Sequence, residues 1–334
     1  MKNLTKKEIS NYMELSILIP SRNEMFLKNT IEDILKNIEA DTEIIVVLDG
    51  AWADPPIPQN DRVNTIYLPE AIGQRAATNL ACRLSKAKFV MKCDAHCAFD
   101  KGFDRKMIEG FKKTGDNVMM VPVMRNLWAF DWKCYHCGWR HYQGPTPEKC
   151  GWVKNKEGKM VKVGGCDRPD KLKRKMVWVG KEQPQSSSFC FDSEPHFQYF
   201  NKYKKTDEYK KDLETGFTKT MSLQGSCFMV TRENYWKWDV CDEKAGSWGN
   251  QGIELALATW FNGGQVLCNH STWYAHMFRT QGGDFGFPYE QHGREVQKTK
   301  DYIKNKYWKP ELKDLLKRFN PPGWTQNDLD KIDG

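Results

Sequence analysis

The 334-residue chain has no apolar run long enough to span a bilayer, so no membrane-embedded role is expected. It has no internal repeat and no low-complexity tract, which excludes solenoid and collagen-like architectures. Its opening, MKNLTKKEISNY, is polar and lacks the apolar centre of a secretory signal. The expected compartment is therefore the cytoplasm, where eleven cysteines read as thiols or metal ligands before disulfides. Net charge is also missing from most of the chain. The excess of +8 lies entirely within residues 125–220, which hold 20 Lys+Arg against 12 Asp+Glu. Such a block is either a solvated face or a docking surface for a polyanion.

What is present suits a soluble globular protein with one large α/β domain or two smaller ones: 40% hydrophobic and 28% charged residues. The spacing predicts strands over 14–20, 43–49, 62–68, 88–94 and 117–123. It predicts helices over 25–38, 70–85 and about 104–113. Strands alternating with helices imply a mostly parallel sheet with helices on both faces, an α/β Rossmann-like class. Ligands in such sheets bind at the carboxyl ends of the strands, where PSRNE, LDGAW and DAH fall. The alternation stops at 125. Residues 125–220, rich in Trp, Cys, Lys, Gly and Pro, read as an irregular insertion. The pattern resumes with a strand over 221–230, a helix over 252–261 and a strand over 265–271, and a charged helix over 289–308 precedes a polar tail.

Two groups of residues carry metal chemistry. Asp94 and His96 stand two apart at a strand end, so their side chains leave the same face. A carboxylate and an imidazole suit Mn²⁺ or a similar divalent ion, with phosphate oxygens and water completing the shell. By spacing alone the pair equally fits a turn; His276, after another strand, is a second histidine in a similar setting. The cysteines Cys134, Cys137, Cys150 and Cys166 follow the spacing C-x₂-C-x₁₂-C-x₁₅-C, a first zinc knuckle without a second. They read either as a structural Zn²⁺ site, with His136 or His141 able to substitute, or as free thiols.

The ordered motifs SILIPSRNE, EIIVVLDGAW and IGQRAATNLACRLSKAKFVMKCDAHC resemble the nucleotide-sugar half of GT-A fold glycosyltransferases of family 2. DAHC, SWGNQGIE, NGGQV and HMFR, in that order, are similar to motifs of polypeptide N-acetylgalactosaminyltransferase catalytic domains. FGFPYEQHGREVQKTKDYI resembles that family's mobile loop and following helix. The chain also resembles transferases carried by tailed bacteriophages, which would make the compartment that of a bacterial host during infection. The resemblance implies a GT-A sheet flanked by helices, with 1–124 for the nucleotide sugar and 221–305 for catalysis. The segment 125–220 has no counterpart in it and reads from its composition as a basic Cys/Trp-rich insertion, a candidate zinc knot and acceptor-docking element, with 306–334 as a tail.

The same resemblance implies a metal-dependent transfer from a UDP-sugar to an acceptor hydroxyl. Asp94, His96 and His276 would hold Mn²⁺ (or Mg²⁺). Pro20, Arg22, Glu24, Asp49, Arg75 and Asp94 would contact the donor, and Trp248 would floor the sugar site. One departure matters. Gln251 stands where the resembling turn carries Glu, and an amide cannot take a proton. Base-catalysed inversion from this position is excluded, which leaves a retaining transfer or Glu254 as the carboxylate. The basic run RPDKLKRKMVWVGK makes DNA bearing hydroxymethylated pyrimidines the expected acceptor. A surface glycan, a protein Ser/Thr, or a non-catalytic nucleic-acid-binding module on a transferase scaffold are the alternatives. Nothing in the residues fixes the oligomeric state.

Overall fold

The computed structural model describes residues 13–155, 157–279 and 293–332. Its first half is β1 (Leu15–Ser21), α1 (Leu27–Asn37), β2 (Thr42–Asp49), β3 (Val63–Leu68), α2 (Gln74–Leu84), β4 (Phe89–Cys93), β5 (Cys97–Phe99) and α3 (Phe103–Thr114). The insertion holds β6 (Val118–Cys134), β7 (Arg140–Tyr142), β8 (Trp152–Lys154), β9 (Met160–Lys162), β10 (Leu172–Ser186), β11 (Phe189–Phe191), β12 (Phe197–Tyr199), α4 (Asp207–Glu214) and β13 (Phe217–Lys219). Then follow β14 (Cys227–Thr231), α5 (Arg232–Lys237), α6 (Gln251–Phe261), β15 (Gln265–His276), α7 (Gly293–Tyr307), α8 (Glu311–Phe319) and α9 (Gln326–Asp330).

The central strand order is β15-β6-β14-β4-β1-β2-β3, and only β14 runs against the other six. This is the mostly parallel sheet that the strand–helix alternation predicts. Successive residues of a strand face opposite layers. Ile17, Ile19, Ile44, Val46 and Met91 pack with α1 and α3, while Leu18, Ile45, Val47 and Val90 pack with α2 and with Leu255 and Ala256 of α6. The far side of α6, Ile253, Leu257 and Ala258, meets α7 and α8 through Ile303, Leu312 and Leu316. Every residue from Gln251 to Thr259 is buried, so the helix is apolar nearly all round and Glu254 sits inside protein.

Two expectations are corrected. Residues beyond 125 are not irregular from the start: β6 runs unbroken through Met124 and Arg125 to Cys134, with β10 antiparallel along it. Leu127, Ala129, Phe130 and Trp132 of this arm join Phe26, Ala98 and Met277 in one apolar cluster, so both faces of the strand are partly covered. The interleaved Trp, Lys and Asp make the segment read as polar and irregular in the sequence. Residues 221–226 are not strand either. They form a loop pressed against α6, where a Cβ on Gly225 would lie 3.0 Å from the Gly252 nitrogen.

Candidate active site

The site is assembled by strand register. β4 is buried along its whole length and ends at Cys93. The Asp94–His96 turn follows, and β5 then pairs antiparallel with the end of β15, setting Cys97 opposite His276. The Met277 N–H donates to the His96 carbonyl at 3.2 Å, and the Asp94 N–H to the Ser226 carbonyl at 2.8 Å. That register brings two histidines 180 residues apart to a 3.1 Å separation of their Nε2 atoms, with Asp94 Oδ2 3.3 Å from His276 Nε2. One ligand atom from each of Asp94, His96 and His276 lies within 4.8 Å of the other two.

The surroundings fix charge and tautomer. Burial alone would raise the Asp94 carboxyl, but the Lys92 ammonium and the two histidines outweigh it and hold it below the usual carboxylate range. Burial pulls His276 down to about 4 against the pull of Asp94, so its imidazole is neutral, the form that ligates metals. Glu24 accepts from His96 Nδ1 at 3.0 Å, from the Phe26 N–H at 3.1 Å and from Arg279. Burial opposes ionisation of Glu24, yet His96 and Arg279 keep its pKa lowered. A carboxylate on the far nitrogen of a histidine orients the ring and leaves the other nitrogen toward the ion. One carboxylate and two imidazoles facing a common point fit a divalent cation, with the imidazoles favouring Mn²⁺ over Mg²⁺.

These groups open onto a cleft of about 610 Å³ lined by Pro20, Arg22, Asp49, Trp248 and Gln251, among others. Asp49, at the end of β2, accepts the backbone N–H groups of Ile72 at 2.6 Å and Gly73 at 3.0 Å, shaping the entry to α2. Gly73 is at φ +91°, and a Cβ there would fall 2.6 Å from that of Ser247. Gln251 is buried, its Nε2 reaching Cys241 Sγ at 3.4 Å while its Oε1 has no partner among the described residues.

Three sequence expectations change here. Glu24 lines the cleft, but its carboxylate is spent on His96 and Arg279 rather than kept for a donor. Arg75 and Glu254 are not among the cleft-lining residues. They form a 2.6 Å ion pair, 1% and 0% exposed, whose guanidinium also donates to the Gly246 and Gly249 carbonyls. Burial raises the Glu254 carboxyl and Arg75 opposes that rise. The pair braces the turn that carries Trp248. Lys92, Gln74 and Glu295 were not read from sequence. Lys92 is fully buried and donates to Asp94 and, at 2.8 Å, to the Gly225 carbonyl. Its signal was present as a lone cation inside an apolar strand, on the same face as Asp94. Gln74 donates to Asp94 at 3.3 Å, and Glu295 lines the cleft near Ser247. Residues 285–292 of the FGFPYEQHGREVQKTKDYI stretch lie outside the described residues.

The four cysteines also converge. Cys134 Sγ lies 3.7 Å from Cys166 Sγ, Cys137 Sγ lies 3.4 Å from Cys150 Sγ, and all four sulfurs are within 4.8 Å of one another. His136 and His141 are not in the cluster.

Residues 16–160 match the model of Glycosyl transferase family 2. Over 331 residues the chain is 21% identical to a Drosophila melanogaster protein that carries the name polypeptide N-acetylgalactosaminyltransferase 13, covering 92% of this chain and 50% of that one. It is similar to the crystal structure of GalNAc-T7 with UDP, GalNAc and Mn²⁺ at a TM-score of 0.58 and 14% identity, covering 96% of this chain and 54% of the other. The fold is that of a GT-A glycosyltransferase. The chain spans about half the length of these relatives. On the GT-A frame, the cleft lies where β1, β2 and β4 end. No helix among the described residues is long and apolar enough to cross a membrane.

Proposed function

We propose that this GT-A chain transfers a sugar from a UDP-sugar to an acceptor hydroxyl, with Mn²⁺ held by Asp94, His96 and His276. The observation that carries this reading is the convergence of those three ligands, from two remote segments, at the edge of a cleft the size of a nucleotide sugar. A divalent ion there would neutralise the donor's diphosphate and stabilise it as the leaving group. Glu24 orients His96, Lys92 holds Asp94 ionised, and Trp248 and Gln251 face the sugar side. The bound UDP and Mn²⁺ of the GalNAc-T7 structure support the choice of donor and ion.

Retention of the anomeric configuration is the stereochemical reading. Glu24 and Asp94 are occupied, Asp49 holds two backbone N–H groups, and Glu254 is walled off. Glu295 is the remaining cleft-lining carboxylate among the described residues, and it accepts long hydrogen bonds of 3.4 Å from the Ser247 N–H and hydroxyl. A front-face transfer, in which the departing phosphate accepts the hydroxyl proton, needs no protein base. For the acceptor, the basic excess of 125–220 favours a polyanion, with hydroxymethylated pyrimidines of phage-type DNA as the specific substrate, flipped out of the duplex to reach the cleft. The name of the Drosophila relative favours a second reading, a polypeptide Ser/Thr hydroxyl. All eleven cysteines are unpaired, which supports a cytoplasmic setting.

The deciding experiment incubates the protein and Mn²⁺ with a panel of UDP-sugars and either hydroxymethylated DNA, unmodified DNA or a Ser/Thr peptide. Mass spectrometry of nucleosides and peptides identifies the product, and its anomer is read by NMR. Sugar on hydroxymethylated DNA alone supports the first acceptor, and sugar on the peptide alone the second. Donor turnover with none of the UDP-sugars overturns the enzymatic reading. Glu295→Gln should hold its rate within about tenfold; a loss of roughly 10²–10⁴ would make Glu295 a base and the reaction inverting.

A further inference from the structure

We propose that Cys134, Cys137, Cys150 and Cys166 hold one structural Zn²⁺ that fastens the outer end of the β6–β10 arm. Zinc–thiolate bonds of about 2.3 Å in a tetrahedron put neighbouring sulfurs roughly 3.8 Å apart. The contacts of 3.7 and 3.4 Å, in a cluster no wider than 4.8 Å, have that size.

The backbone is shaped for it. Cys134-Tyr-His-Cys137 is followed by Gly138 at φ +79°, so the chain turns back at once, and the Gly138 N–H donates to the Cys134 carbonyl at 2.9 Å. On the other side two loops cross in contact. A Cβ on Gly151 would fall 1.6 Å from the Gly164 carbonyl oxygen, and one on Gly165 would fall 2.7 Å from Cys150 Sγ. Glycine at both positions lets Cys150 and Cys166 close on the first pair, and the Cys166 N–H points at Cys150 Sγ at 3.4 Å. Two knuckles are thus present in space although only one is visible as C-x-x-C.

A staple is needed here. Among the described residues of 135–171 the buried positions are Gly144, Pro147, Cys150 and Gly151, and none is a large apolar side chain. The segment has no hydrophobic core of its own, and a stretch of this kind folds on a metal or a disulfide. None of the four cysteines is disulfide-bonded. The arm so fastened reaches the cleft, since Phe130 stacks on Phe26 at 5.8 Å and Trp178 lies 6.0 Å from it, two residues from Glu24. The ion is structural: four thiolates fill a tetrahedral shell and leave no position for substrate.

The test is independent of transferase activity. Protein produced in medium without added zinc is analysed for metals, and zinc is then exchanged for Co²⁺. The expected result is one zinc per chain and, with Co²⁺, the visible absorption of a tetrahedral tetrathiolate site. Chelation of the wild type should open 143–171 to protease while the cleavage pattern of the sheet stays unchanged. Cys150→Ser should lower zinc occupancy; if that variant fails to fold, the wild-type measurements still decide. Iron in place of zinc, or no metal together with four thiols alkylated in the native protein, overturns the assignment.

Discussion

Arg75 and Glu254 lie 179 residues apart in sequence and form a 2.6 Å ion pair closed off from solvent. The remaining guanidinium N–H groups hold the carbonyls of Gly246 and Gly249, so one side chain fixes both α6 and the turn before it. A buried pair loses most when only one partner is removed. Arg75→Met should lower unfolding free energy by about 3–5 kcal/mol. Arg75→Met combined with Glu254→Met should lower it by less than Arg75→Met alone. Chemical denaturation of the double variant and of each single variant measures the coupling, and a double-variant loss equal to the sum of the two single losses would mean the two residues are not coupled.

Lys92 makes the proposed metal ligands unequal as probes. It is buried and its Nζ has two partners, Asp94 and the Gly225 carbonyl. Asp94→Ala leaves that ammonium without its counter-charge and should cost about 3–5 kcal/mol of stability besides the ligand. His276→Ala removes a neutral side chain and should abolish transfer with a smaller change in melting temperature. Lys92→Met added to Asp94→Ala should restore melting temperature but not activity. Near-normal turnover of His276→Ala with Mn²⁺ present would show that the site is misassigned.

The alternating half of the fold was legible because β1, β2 and β4 are buried on both faces and the intervening helices are amphipathic at the right period. DAHC and HMFR pointed to one candidate metal site because their order resembles that of a family, and the structure brings Asp94, His96 and His276 together. The Glu24–His96 contact and the Arg75–Glu254 pair were not legible. Each depends on a partner 72 or 179 residues away, and nothing local marks an arginine in an amphipathic helix as buried. The 125–134 half of β6 stayed hidden for a different reason. Arg174, across from Trp132 on β10, lies over the rings of Phe130 and Trp132, so residues that read as solvated are part of the packing.

Asp33 predicts a pH dependence away from the proposed metal site. Its carboxylate accepts the Phe99 N–H at 2.7 Å under β5, and burial raises its pKa from 3.8 to about 6. A raised carboxyl binds its proton more tightly in the folded state. The stabilisation is complete below about pH 4 and is lost as pH rises through about 6. A shift of roughly two units bounds the effect at about 3 kcal/mol. Asp33→Asn keeps an acceptor for Phe99 and removes the titration, so its unfolding free energy should lack that fall between pH 4 and 6. A wild-type and variant difference that stays constant with pH would contradict this origin.

The acceptor reading rests on the basic arm, and the structure narrows which cations can serve it. Arg174 lies over two aromatic rings and its NH1 reaches Met25 Sδ at 3.3 Å, so it belongs to the packing of the arm. Lys173 and Lys175 are exposed on β10, and Lys171 precedes it, paired with the exposed Asp170. If these lysines meet phosphates, log affinity for DNA should fall linearly with log salt, and each contact should contribute about 0.9 to the slope. Replacing Lys171, Lys173 and Lys175 by Gln should flatten the slope by up to roughly three such contributions while UDP-sugar hydrolysis stays unchanged. Replacing Arg174 as well should lower stability without flattening it further. A neutral acceptor would give transfer insensitive to salt and to these substitutions, and that outcome would return the choice to a peptide or glycan hydroxyl.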